Sequence, residues 1–119
     1  MKLIIAGTRT FSDYELLETT LDEYLTHYRV DEIVSGTCSG ADKLGERYAN
    51  LHNISIKRFP ANWNLYGKSA GPIRNKQMAE YADACIVFWN GKSKGTLSMI
   101  NLAKEYNLDL MIIYIDSLT

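Results

Sequence analysis

Three short segments of this chain join glycine to hydroxyl, amide and cationic side chains, and each follows an apolar run. They are Gly7-Thr8-Arg9-Thr10, then Ser35-Gly36-Thr37-Cys38-Ser39-Gly40-Ala41-Asp42, and finally Asn90-Gly91-Lys92-Ser93-Lys94-Gly95-Thr96. Glycine lets backbone approach a ligand closely, and hydroxyls and amides supply donors. Where such a turn opens a helix, the free N–H groups and the dipole favour an anion. The chemistry expected is the holding of phosphate and ribose. Any one of these turns is ordinary punctuation, since glycine and serine end strands everywhere; the signal lies in three of them on one sheet edge.

A fourth segment, Trp63 to Asn75, mixes aromatic and polar residues. Trp63 invites base stacking, and Trp89 is a second aromatic able to flank a base. Arg74, in the first turn of a helix opened by Pro72, is suited to fork onto phosphate, with Asn75 beside it. The ordinary alternative is that the aromatics cover the sheet edge while Arg74 pairs with a surface acid.

Other chemistries find less in the sequence. No G-x-G-x-x-G follows the first apolar run, so the dinucleotide fingerprint is absent. Gly91-Lys92-Ser93 resembles the end of a P-loop, but Ile86 occupies the position of that motif's first glycine. His27 and His52 have no partner at metal spacing, so neither a metal nor a cofactor is expected. Cys38 lies in the second turn with no histidine near it in sequence, and Cys85 reads as core.

These turns need a scaffold, and the hydrophobic pattern supplies one. Runs at 3–6, 32–35, 54–59, 84–89 and 110–115 read as strands, the fourth nearly continuous in apolar residues, as in a sheet covered on both faces. Amphipathic stretches separate them. The first has the S-x-x-E spacing of a capping box at Ser12-Asp13-Tyr14-Glu15 and carries Tyr14, Tyr24 and Tyr28 as packing residues. The second spans Ser39–Leu51 with Leu44, Tyr48 and Leu51 inward, the third Pro72–Tyr81, and the fourth Gly95–Asn107. A polar, aromatic loop is expected at 61–70. Strand–helix alternation predicts right-handed βαβ units, hence a single α/β, Rossmann-like three-layer domain over residues 1–119 with about five parallel strands flanked by helices. In such sheets the crevice lies outside the carboxyl ends of the strands, where the three turns sit.

Composition narrows the partners. The 119 residues are 46% hydrophobic and 23% charged with a net charge of −1, so no broad electrostatic footprint for nucleic acid exists. An anionic ligand must be held by a few local donors. No apolar run approaches the roughly 20 residues of a membrane span, and the start is too short for a signal peptide, so a cytoplasmic protein is expected.

The ordered set Gly7-Thr8-Arg9, Ser35-Gly36 through Gly40-Ala41-Asp42, Ala61-x-Trp63 with Tyr66-Gly67, Ala70-Gly71-Pro72-Ile73-Arg74-Asn75, and Gly95-Thr96 resembles the SLOG superfamily, in its YspA-like branch. The resemblance spans nearly the whole chain. It implies a Rossmann-like fold that binds nucleotide-derived ligands, including ADP-ribose-type signals in defence proteins. The superfamily also holds the LOG phosphoribohydrolases, which cleave nucleoside monophosphates, and the DNA-processing protein DprA. LOG enzymes carry a motif resembling P-G-G-x-G-T-x-x-E with a glutamate for cleavage; here Gly95-Thr96-Leu97-Ser98 is followed by Met99. A thioether can neither accept a proton nor stabilise an oxocarbenium ion. The second turn also lacks the arginine expected of many relatives.

The reading is therefore capture or sensing of a nucleotide-derived small molecule, foremost an ADP-ribose or NAD-derived signal, without turnover. Sequestration of the kind a phage-encoded inhibitor of signalling-based defence performs would suit such a domain. The expected contacts are Gly7, Thr8, Arg9, Ser35, Gly36, Thr37, Ser39, Gly40, Asp42, Trp63, Arg74, Asn75, Trp89, Asn90, Gly91, Ser93, Gly95 and Thr96. The alternatives are a LOG-like N-glycosidase, with Asp42, Glu46 or Glu80 as its acid, and a DprA-like single-stranded DNA binder. Self-association is expected from the superfamily and from Met78, Met99 and tyrosines on helix faces.

Overall fold

A computed structural model describes residues 1–116; positions 117–119 of the expected 1–119 domain lie outside the described residues. Five strands, β1 (Lys2–Gly7), β2 (Glu32–Ser35), β3 (Ser55–Arg58), β4 (Ala84–Trp89) and β5 (Asp109–Tyr114), form one all-parallel sheet in the order β3-β2-β1-β4-β5. Five helices connect them: α1 (Tyr14–His27), α2 (Ala41–Leu51), α3 (Trp63–Tyr66), α4 (Ala70–Tyr81) and α5 (Lys94–Glu105). The Rossmann-like α/β architecture read from the sequence is the architecture observed.

Period-two alternation along the strands divides the core into two layers. Leu3 and Ile5 of β1, Ile33 of β2, and Ala84, Ile86 and Phe88 of β4 pack beneath Leu17 and Leu21 of α1 and Tyr48 of α2. Ile4, Ala6, Val34, Cys85 and Val87 face the other way, onto Met78 of α4 and Met99 and Ile100 of α5. Both faces of β1 and β4 are thus apolar, which is why their sequences read as unbroken hydrophobic runs.

Several elements differ from the sequence expectation. Asp13, not Ser12, caps α1: its Oδ1 accepts the Leu16 N–H at 3.0 Å. In α2 Tyr48 and Leu44 pack on the core as expected, with Ala41, Gly45 and Ala49 beside them, but Leu51 is 61% exposed. The expected loop at 61–70 is α3 followed by a 3-10 turn at Gly67–Ser69. Asn62 caps α3 by accepting the Leu65 N–H. Because α4 starts at Ala70, Arg74 is its fifth residue rather than part of its first turn. Met78 and Met99 are 2% and 1% exposed, so they offer no outward face for self-association.

The chain steps from β1 to β2 to β3 in one direction and from β4 to β5 in the other. The order therefore reverses between β1 and β4, and an open α/β sheet leaves its crevice at that point. No helix among the described residues is long and apolar enough to cross a membrane.

Candidate functional site

At the carboxyl ends of β1 and β2 lies a cleft in two adjoining lobes. One, of about 280 Å³, has a floor of Ala6, Met78 and Met99 and walls from Gly71, Pro72 and the start of α5. The other, of about 400 Å³, is lined by the second glycine turn from Gly36 to Ser39 and by Pro60 and Ala61. Arg9, Cys38, Trp63 and Arg74 line both lobes and so form the waist between them.

Arg74 is 7% exposed, and its guanidinium is fixed on three sides. Nη1 donates to the Gly36 carbonyl, Nε donates to Asn75 Oδ1 at 2.9 Å, and Nη2 lies 3.6 Å from Cys38 Sγ. No ion pair involves Arg74 among the described residues, so the surface-acid reading of this arginine does not hold. Asp42 is the nearby carboxylate, on the other side of Gly36, but it makes no ion pair with Arg74, and a buried cation left so on the wall of a cleft is costly unless an anion completes it. Arg9, by contrast, is exposed, and its guanidinium meets no partner among the described residues.

Asp42, in the first turn of α2, is 6% exposed and is, among the described residues, the one carboxylate lining either lobe. Burial pushes its pKa up to about 6. The Cys38 N–H donated to Oδ2 at 3.1 Å and the cations Arg74 and Arg9 work against that rise, while Glu46 adds to it. Asp42 is thus poised to change charge at mildly acidic pH.

Close approach builds the turns. Gly40 caps α2 at φ +82°, and a Cβ there would lie 2.3 Å from the Thr8 carbonyl, so only glycine lets the first and second turns meet. Ser39 Oγ ties the same junction by donating to the Arg9 carbonyl at 3.3 Å. The third turn is a capped helix start. Asn90 Oδ1 accepts the Lys92 and Ser93 N–H groups, and Ser93 Oγ accepts the Thr96 N–H at 3.4 Å. The Lys94 and Gly95 amides at this N-terminus have no intrahelical acceptor.

Of the residues expected from sequence, Gly7, Arg9, Gly36, Thr37, Ser39, Asp42, Trp63, Arg74, Asn75, Ser93, Gly95 and Thr96 line the cleft. The others stand behind it. Thr8 is buried, and its Oγ1 accepts the Asn90 N–H; Ser35 is buried against Glu46. Gly40, Asn90 and Gly91 shape the turns. Trp89 does not flank the cleft; its indole donates to the Ser93 carbonyl at 3.1 Å, and its ring packs on Tyr114. Glu46 and Glu80 line neither lobe, Glu80 being exposed on α4. Cys38, Lys94, Ser98 and the two-methionine floor are among the lining residues absent from the expected contacts, as are Ala6, Pro60, Ala61, Gly71 and Pro72. Among the described residues no cluster of three or more His, Cys, Asp or Glu is placed to hold a metal ion.

Residues 1–66, which carry the first two glycine turns and Trp63, match the sequence model of the YspA, cpYpsA-related SLOG family. The chain is also similar to the "Gene 61 protein" of Mycobacterium phage D29, at 28% identity over 118 residues, covering 92% of this chain and 94% of that protein. No solved structure matches it.

Proposed function

The chain belongs to the YspA, cpYpsA-related SLOG family, and from that premise we propose that it captures a nucleotide-derived small molecule of the ADP-ribose or NAD-derived class. Family membership by itself points to a nucleotide-related ligand. The finer reading rests on one observation: Arg9 and Arg74 stand together at the waist between an apolar-floored lobe and a polar one. A diphosphate at that waist would complete both cations. A base would then lie over the methionine floor beside Trp63, with a ribose against the Gly36–Ser39 turn.

Holding rather than turnover is supported by Met99, a floor residue at the position where the LOG-like motif has its glutamate. Sequestering a defence signal is the role we propose for such capture, and the likeness to a mycobacteriophage protein is in keeping with a phage setting. The cytoplasm is the setting we propose, in keeping with the free thiols of Cys38 and Cys85. We also propose self-association, on surfaces other than the buried Met78 and Met99. Calorimetry against ADP-ribose, its cyclic isomers, NAD and nucleoside monophosphates tests the reading. Saturable heat is expected with the diphosphate ligands, and flat heats across the panel would overturn it.

Asp42 favours a second reading. A carboxyl with a raised pKa on the wall of a ligand cleft has the properties of a general acid. An N-glycosidase would release free base from a nucleoside monophosphate and lose that activity in Asp42→Asn. Intact ligand recovered after denaturing the complex decides for capture.

A further inference from the structure

Glu46 is as buried as the site residues, yet it lines neither lobe, and its carboxylate is fully engaged. Oε2 accepts the Ser35 hydroxyl at 2.6 Å, and Oε1 accepts Arg58 Nε at 3.0 Å from the edge strand β3. Having given its only proton to Glu46, Ser35 Oγ must act as acceptor toward its other neighbour. That neighbour is the Thr37 N–H, at 3.0 Å.

Thr37 is the strained residue of the second turn. Its φ of +67° is left-handed, a conformation that a β-branched side chain rarely adopts and that surrounding contacts must hold in place. The turn that passes through it directs the Gly36 carbonyl at Arg74 and the Cys38 N–H at Asp42. The position of the waist cation therefore depends on the turn, and the turn on Ser35.

We propose that Glu46 is a positioning residue: through Ser35 it holds the Gly36–Gly40 turn in the strained form that seats Arg74 at the waist of the cleft. The proposal rests on the reading of that cleft as the ligand site. It removes Glu46 from the acid–base candidates and makes Arg58, on the sheet edge, the outer end of a chain of contacts that ends at the ligand.

Amide exchange at residues 36–40 and calorimetry with ADP-ribose, on Glu46→Gln and Ser35→Ala with and without Thr37→Gly, test it. Either substitution alone should speed exchange of the Cys38 amide, which the turn aims at Asp42, and weaken ADP-ribose binding, each about tenfold. Glycine takes positive φ unaided, so adding Thr37→Gly should reduce both effects to below about threefold. A merely structural role would lower the melting temperature equally in both backgrounds without that rescue. Exchange unchanged by both substitutions, or losses that Thr37→Gly leaves intact, would overturn the proposal. Should Glu46→Gln fail to fold, Ser35→Ala carries the test, because it leaves the Glu46–Arg58 pair in place. A wild-type protein that gives no heat with ADP-ribose refutes the ligand reading alone, and the exchange measurement still decides the role of Glu46.

Discussion

Two arginines share the waist of the cleft, but they are held so differently that substitution should separate binding from stability. Arg9 is exposed and bonded to nothing through its guanidinium. Arg9→Ala should leave the unfolding free energy within about 0.5 kcal/mol of wild type while weakening an anionic ligand. Arg74 is anchored to Gly36 and Asn75. Arg74→Lys keeps the charge but loses the fork, leaving those acceptors without donors, so it should cost roughly 1–3 kcal/mol of stability as well as affinity. Urea denaturation beside calorimetry distinguishes the two. Asp42 gives a third outcome. Its folded pKa of about 6 lies above the ordinary 3.8, so the native state holds the proton more tightly than the unfolded chain does. Stability from this group is full below the ordinary value and is lost as pH rises through 6, a difference of about 3 kcal/mol at roughly 1.4 kcal/mol per unit. Asp42→Asn, which can still accept the Cys38 N–H, should therefore be more stable than wild type at pH 8 and level with it near pH 4. An anion set beside Arg74 and Arg9 would raise the Asp42 pKa further. Binding near pH 6 should then take up a proton, read as a dependence of the calorimetric heat on the buffer's ionisation enthalpy.

At the scale of elements, α2 matters most, because its N-terminus carries the second turn and its body lies on β1. Gly45 makes that contact possible: a Cβ there would meet Ile5 Cβ and Cγ2 at 2.8 Å, both close to the backbone of a central strand. Alanine would gain about 1 kcal/mol of helix propensity. Overpacking against a rigid strand costs more, about 1–3 kcal/mol. Gly45→Ala should lower the melting temperature and, by lifting α2, weaken ligand binding at the second turn as well. Gly45 was not legible in sequence, since a glycine between Leu44 and Glu46 signals nothing by type alone. Strands were legible because Leu3 to Ala6 and Ala84 to Trp89 are apolar on both faces, a direct consequence of two helical layers. The cap of α1 is ambiguous in sequence because Ser12 and Asp13 both offer an oxygen, and only backbone geometry chooses between them. The helical turn of α3 leaves no periodic signal, because four residues, Trp63–Tyr66, are too few to show a period. The structural role of Glu46 leaves no local trace in sequence, because its partners Ser35 and Arg58 are distant along the chain.

At the scale of the whole molecule, the reversal of strand order between β1 and β4 gathers residues as distant in sequence as Arg9 and Thr96 into one cleft on a chain of net charge −1. Attraction for an anion is thus confined to the cleft, and the surface as a whole repels polyanions weakly. A DprA-like binder would be retarded by oligonucleotides with a steep salt dependence, because each neutralised phosphate adds to the slope. For this chain a single-stranded oligonucleotide at about 50 mM salt should give no shift, and stacking on the half-exposed Trp63 alone would not supply one. A small diphosphate ligand should behave in the opposite way. At about 100 times its dissociation constant it adds about 2.7 kcal/mol to the folded state. For a domain of this size that raises the melting temperature by roughly 10 °C. Heating through this raised transition releases the ligand, and mass spectrometry of the supernatant shows what was held. Capture requires the mass that was added, in the molar amount of protein loaded. A hydrolysed product in that supernatant, suppressed in Asp42→Asn, would instead make the cleft an active site with Asp42 as its acid.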